Sequence, residues 1–331
     1  MSRGMTTPRI AIALSAVALT ALTLTGCSAS GVGASASGAK KLIAVSISDQ
    51  TSLFYIAEVD GIKNAAKAAG YDVVIQQAGD DGTTQVNQVQ NLITQQPAAV
   101  IFTPTNETAA NAGAKLLNTA KIPIITVDEK PLDSDGRDIV TFIATDSVAA
   151  AKDDCTFLFK QINNSGDILE LTGVEGSTAQ LQRSEGCAQA LAANPGVKIV
   201  GSGTAAWDET KAFNLVQNLL TAHPGVKAIF AESDAMALGA AKAAAQAHLT
   251  LPIVGIDGFP SMFDAIKTGS PTATEAQQPY MMGQLAVKNA IQAIEGKGSS
   301  IPKTQYQKTV LITKDNVEQN PNAQFYGPTV N

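Results

Sequence analysis

The chain has 331 residues, 45% of them apolar and 16% charged, and carries a net charge of −6. No Lys/Arg cluster tracks a groove or a helix face, so the electrostatic footprint of a nucleic-acid binder is missing. Neither of its two histidines, His223 and His248, falls in a metal-ligand pattern or a Ser/His/Asp series, so no metal site or cofactor is expected.

The first element is a leader. Arg3 and Arg9 precede an apolar run, Ile10 to Leu24, closed by Thr25, Gly26 and Cys27. This is the layout of a cleaved signal peptide, and the run is shorter than the ~20 residues a membrane span needs. Leu24-Thr-Gly-Cys27 resembles a bacterial lipoprotein signal. That resemblance implies a signal peptide over 1–26 and Cys27 as the lipid-bearing first mature residue. It also implies a membrane anchor at the outer face of the cytoplasmic membrane or in the periplasm. Residues 27–41 are rich in Ser, Gly and Ala and read as a lipidated flexible tether. About 290 residues remain from Leu42, more than one core usually supports, which predicts two domains.

From Leu42 onward, short apolar runs alternate with helical spacing. Strands are expected at Leu42–Ile47, Asp72–Gln77, Ala99–Thr103, Pro123–Val127 and Ile139–Ala144, with helices at Tyr55–Ala69, Thr83–Gln95 and Glu107–Ala120. A second series follows. Its strands are Asp167–Thr172, Lys198–Ser202, Lys227–Ala231 and Pro252–Ile256, and its helices lie near Thr178–Ala193, Glu209–Ala222 and Ala235–Ala247. Continuous apolar strands of this kind belong to parallel sheets covered on both faces. The fold class is therefore α/β, with two doubly wound, Rossmann-like lobes. Cys155 and Cys187 each fall in a helical pattern. In an exported chain they are expected to pair as a disulfide, against the alternative of two small buried residues that never meet.

Ligands of such sheets bind outside the carboxyl ends of the strands. The loops there hold Ser46–Phe54, Pro104–Asn106, Asp128-Glu129, Gly173–Ser177, Ala206–Asp208, Glu232–Asp234 and Asp257-Gly258. Carboxylates, amides, hydroxyls and aromatic rings suit a polyhydroxylated ligand, although Asp128 or Asp234 would also serve as a plain helix cap. Enzyme motifs are weak. Gly201 to Ala206 fits only the loose G-x-G-x-x-A pattern, and Ser37 to Lys40 lies in the tether, so no catalytic residue is expected and the chain is not read as an enzyme.

Several segments together resemble the periplasmic sugar-binding proteins of ribose-binding type, the solute receptors of ATP-driven importers. They are Phe54-Tyr55 ahead of Asp60-Gly61, Pro123–Asp128, Thr145-Asp146, Arg183–Gly186, Gln217–Pro224, Phe230–Asp234, Met236–Gly239, Val254–Gly258 and Ala273–Gln277. The resemblance implies a periplasmic binding protein of type I, its two lobes joined by a three-segment hinge. Lobe one is expected to comprise 42–144 and 277–308, and lobe two 145–276 and 309–331. The crossings then fall near Ile143–Asp146, Thr274–Gln277 and Lys308–Val310. It implies Phe54, Tyr55 and Trp207 as rings sandwiching a sugar, with Tyr55 alternatively core. Asp128, Asp257 and Gln277 would hold its hydroxyls, with Glu129, Ser233, Thr103 and Thr145 further candidates. The expected partners are a small sugar or polyol and an ABC permease, for a monomeric protein.

Three positions depart from the ribose pattern. Glu129 and Leu181 stand where ribose binders carry ligand-binding arginines, and Ser233 where they carry asparagine. Loss of both guanidinium forks predicts an acceptor-rich pocket, with Asp49 and Glu232 adding acid and Gln180, Gln182 or Arg183 left as donors. Ribose itself is therefore not the expected ligand. Alternatives are a cationic ligand such as an amino sugar, or a sensory receptor that reports closure to a chemoreceptor or kinase.

Overall fold

The computed structural model describes residues 42–130 and 138–329. The leader, Cys27, the tether and residues 131–137 lie outside the described residues. In chain order the first part runs β1 (Leu42–Ile47), α1 (Leu53–Ala68), β2 (Asp72–Gln77), α2 (Gly82–Thr94), β3 (Ala99–Thr103), α3 (Glu107–Thr119), β4 (Ile124–Val127) and β5 (Thr141–Thr145). The second part runs α4 (Ser147–Gln161), β6 (Gly166–Thr172), α5 (Thr178–Ala193), β7 (Val197–Thr204), α6 (Glu209–Ala222), β8 (Ala228–Ala231), α7 (Asp234–Gln246), β9 (Ile253–Asp257), α8 (Pro260–Thr268) and β10 (Ala273–Ala276). The chain closes with α9 (Pro279–Ile294), β11 (Thr304–Gln307), β12 (Val310–Thr313) and α10 (Ala323–Tyr326).

Two six-stranded sheets result, ordered β11-β5-β4-β3-β1-β2 and β12-β10-β9-β8-β6-β7. Every pairing is parallel except β10 with β12, which is antiparallel. Both faces of each sheet are covered. In sheet one, Ile43, Val45 and Ile101 pack with Met282 and Val287 of α9, and Ala44, Val100 and Phe102 pack with Val89 and Leu117 on the other side. Strands buried on both sides are mostly apolar, which is why β1, β3 and β4 read as apolar runs, interrupted only by Ser46, Thr103 and Thr126. The helices begin on side-chain caps: Ser52, Asp81, Asn106, Asp146, Ser177, Asp208 and Ser233 each accept from a first-turn N–H. Helices α1 and α9 approach closely at two glycines. A Cβ on Gly61 would lie 2.1 Å from the Tyr280 carbonyl oxygen, and one on Gly283 2.1 Å from that of Glu58.

The chain passes between the sheets three times: from β5 into α4 and β6, from β10 into α9 and β11, and from β11 into β12. Helix α4 packs on α5, β9 and β10, and α9 on α1, β3 and β4. Cys155 of α4 and Cys187 of α5 form a disulfide, with Cα atoms 5.4 Å apart. The C-terminal residues, expected within lobe two, touch both lobes. Helix α10 lies against α1 and α9, while the Tyr326 hydroxyl donates to the Asp257 carbonyl at 2.9 Å. Tyr326 is fully buried in an apolar cluster that also holds Ala57 of α1 and Met262 of α8. Among the described residues no helix is long and apolar enough to cross a membrane.

Candidate functional site

The strand orders β2-β1-β3-β4-β5 and β7-β6-β8-β9-β10 each reverse beside their first strand, the point at which doubly wound sheets bind ligands. In lobe one the β1–α1 turn is organised by Asp49, whose Oδ2 accepts from Thr51 N (2.9 Å), Thr51 Oγ1 (2.6 Å) and Ser52 N (3.0 Å). Burial works against its charge, but these bonds outweigh burial and its pKa is lowered. The turn presents Phe54 and Tyr55 in the first turn of α1, with ring centroids 5.3 Å apart and edge to face. Phe54 is buried against Ile43, Val45 and Met282, and Tyr55 is half-buried. The Tyr55 hydroxyl donates to Asp128 Oδ2 at 3.1 Å. Asp128 follows β4 with φ 63°, so neither it nor Asp234 is a helix N-cap. Thr103, at the end of β3, is fully buried and donates to Glu58 Oε1 at 2.7 Å. Burial pushes Glu58 up to about 8, the Thr103 bond opposing.

In lobe two, Trp207 follows β7 with φ 65° and lays its ring on Gly173 at the end of β6. A Cβ at Gly173 would lie 1.8 Å from Trp207 Cη2, so only glycine admits the ring here. The Arg183 guanidinium stands 5.4 Å from the ring centroid, within cation–π range. Its Nη1 donates to the Glu232 carbonyl and lies 3.7 Å from Asp257 Oδ1. Glu232 accepts from Gly173 N and Ser184 Oγ, both at 2.7 Å, and burial raises it to about 7 against those bonds. Ser233 caps α7, its Oγ accepting from Met236 N at 3.4 Å. Asp257, at φ 154°, accepts from Asp234 N (3.2 Å) and Gln277 Nε2 (2.8 Å). Burial raises Asp257 while Arg183 opposes; burial and the charge of Asp257 raise Asp234. Gln277 in turn accepts from Thr145 Oγ1 at 2.5 Å, tying two crossing segments to the Asp257 carboxylate.

The structure thus gathers Phe54, Tyr55 and Asp128 at the strand ends of lobe one, and Trp207, Ser233 and Asp257 at those of lobe two, with Thr145 and Gln277 between them. Thr103 is not at the surface of this group but behind it, on Glu58. Glu129 commits both carboxylate oxygens to Thr178 N, at 3.1 Å each. The acceptor-rich pocket needs correction, because Arg183 is buried beside Asp257 and lowers the pKa of Asp128, Asp257 and Glu232. Sequence reasoning left it among three possible donors. A signal was present: of the chain's four arginines, Arg3 and Arg9 lie in the leader and Arg137 in the acidic stretch before β5, which leaves Arg183 alone in a helical pattern.

These raised carboxyls fix the pH dependence of stability. A carboxyl with a folded pKa above its unfolded value binds more protons when folded, so stability is fully present below the unfolded pKa and lost as pH rises through the folded one. Glu58 and Glu232 place that loss between about pH 4.5 and 8. The lowered Asp49 acts oppositely, but below the usual Asp range. The ligand-free protein is expected to melt at higher temperature near about pH 5.5 than near about pH 8.5. A melting temperature that climbs over that range would contradict it.

Residues 43–298 match the periplasmic binding protein domain model. The chain is 35% identical over 260 residues to the ribose import binding protein RbsB of Salmonella typhimurium, covering 78% of this chain and 86% of that protein. It is 30% identical over 285 residues to a xylitol-binding protein of Mycolicibacterium smegmatis, covering 84% and 78%. An ABC transporter solute binding protein from Agrobacterium vitis, bound with alpha-D-tagatopyranose, superposes with a TM-score of 0.81 at 28% identity, over 86% of this chain and 99% of that one. A periplasmic solute binding protein from Actinobacillus succinogenes with bound D-allose gives 0.80 at 28% identity, over 85% and 100%. The chain belongs to the periplasmic binding protein domain family, and within it to the ribose-binding type.

Proposed function

We propose that the chain is the solute receptor of an ABC importer, capturing a small sugar or polyol between its lobes and delivering it to a membrane permease. The observation that carries this is the facing arrangement of chemistry at the two sets of strand ends. The Phe54–Tyr55 pair and Asp128 lie on one side, and Trp207 with Asp257 and Arg183 on the other. Ring faces cover the C–H face of a sugar, carboxylates accept from its hydroxyls and the guanidinium donates to them. Related solute binding proteins with bound D-allose, tagatose and myo-inositol support the ligand class. A resident guanidinium beside Asp257 disfavours a cationic ligand, since the carboxylates already have a partner. Phe54, Tyr55, Asp128, Trp207, Ser233, Asp257, Gln277 and Thr145 are the proposed contacts, with Thr103 supporting from behind.

The test is thermal denaturation against a panel of pentoses, hexoses and polyols. A ligand at 100 times its Kd stabilises by about 2.7 kcal/mol, so the cognate sugar stands out. No stabilisation by any panel member would refute the reading. We also assign the leader to lipid anchoring at Cys27. Cys27→Ala is expected to free the protein from the membrane fraction while leaving panel binding intact, and unchanged membrane retention would refute the anchor.

A further inference from the structure

Glu129 follows β4 of lobe one, yet its bonding partner lies in lobe two. Thr178 is the first residue of α5, a 16-residue helix whose Ser177 cap already accepts from Gln180 N at 3.3 Å. The Thr178 N–H is one of the donors a helix leaves without an intrahelical acceptor, and the Glu129 carboxylate takes it with both oxygens at 3.1 Å. Burial and the charge of Asp128 raise Glu129 to about 7, so the contact is charge-assisted once Glu129 is ionised; it sits at the positive end of the helix and is shielded from water, with Glu129 only 8% exposed. Thr145 and Gln277, by contrast, are bonded to each other within the crossing segments. Glu129 spans from a loop of one lobe to a helix of the other and shares no crossing.

We propose that Glu129 is a latch between the lobes: a positioning residue that stabilises the closed form with or without ligand, rather than a group that touches the ligand. This deepens the proposed capture of a sugar and rests on that reading only for its consequence in transport. A closed ligand-free population has no ligand to thank for its closure, so its persistence depends on contacts such as this one.

The test uses ligand-free protein throughout, at about pH 8.5 where Glu129 is ionised. Glu129→Ala removes the acceptor, and Thr178→Pro removes the Thr178 donors while leaving the Ala179 N–H that also bonds Glu129. Proline suits the first helical position, and Ser177 before it already has the extended backbone proline demands (φ −71°, ψ 152°), so α5 and its cap are kept. Small-angle scattering and a fluorophore pair, one dye on each lobe, report the open-to-closed ratio. Glu129→Ala is expected to raise that ratio roughly 10-fold, as befits loss of a charge-assisted hydrogen bond, with Thr178→Pro and Glu129→Gln each raising it less. Circular dichroism melting verifies that each variant folds. Unchanged distributions in both variants, or opening by Glu129→Ala alone, would overturn the latch. Because no sugar is present, a failed latch leaves the sugar panel untouched, and a failed panel leaves the latch standing.

Discussion

Arg183→Met is expected to destabilise the ligand-free protein by about 3–5 kcal/mol near pH 8, and by much less near pH 5. The side chain is 4% exposed and its guanidinium faces Asp257 at 3.7 Å, the Glu232 carbonyl and the Trp207 ring. It also lowers the pKa of Asp128, Glu232 and the buried Asp154, each of which burial raises. Methionine keeps most of the volume and removes the charge, leaving several buried carboxyls without a cation. Their folded pKa values then rise further. At high pH they must either ionise unpaired or take up protons against solution, and at low pH they are protonated and lose nothing. Urea denaturation at the two pH values separates the cases. An equal loss at both would mean that the guanidinium serves only as packing.

Asp257→Ala is expected to weaken binding of the sugar identified by the panel by about 1.5–3 kcal/mol, roughly 10- to 100-fold. The carboxylate is the acceptor on which the Asp234 N–H, Gln277 Nε2 and the Arg183 charge converge. Truncation would remove an ionised acceptor for sugar hydroxyls and unpair Gln277 as well, so the loss includes the cost of the group left behind. Trp207→Ala should cost a similar amount through lost ring contact. Gly173→Ala should weaken binding in the same direction, because its Cβ displaces the ring rather than deleting it. Titration calorimetry is the readout, and an Asp257→Ala protein that binds normally would place the ligand elsewhere.

The alternation of strands and helices was legible because strands buried on both faces are predominantly apolar, so β1, β3 and β9 stand out as apolar runs with a polar residue only near their carboxyl ends. The late elements were not. In β11, Thr304-Gln-Tyr-Gln307 is an edge strand with alternating exposure and no apolar run, held by its pairing to β5 rather than by its own composition. Helix α9 begins on Pro279, which reads as a breaker but occupies the first turn, where proline is tolerated. At the site, the strand-end positions of Asp128, Trp207 and Asp257 followed from topology, but their positive φ values did not, since none is glycine. Arg183 was left as one of three possible donors for a related reason. It sits inside α5 rather than in a loop, and only the packing of that helix against Glu232 and Trp207 brings its charge to the cleft. For Glu129, the sequence gives its loop but not the helix terminus opposite it, whose Thr178 N–H it accepts.

The crossings also govern when the molecule becomes complete. Sheet one lacks its β11 edge, and sheet two its β12 edge, until residues 304–313 have been made, and α1 has no α9 to lie against until residues 279–294 are made. Contacts between segments this far apart in sequence form slowly, because long loops must close before they contribute. A nascent chain that stops short of β11 exposes β5 and β10 as open sheet edges, each a template for pairing with another chain. Both lobes are therefore finished in one late step, and truncation ahead of β11 should yield aggregated protein rather than one sound lobe.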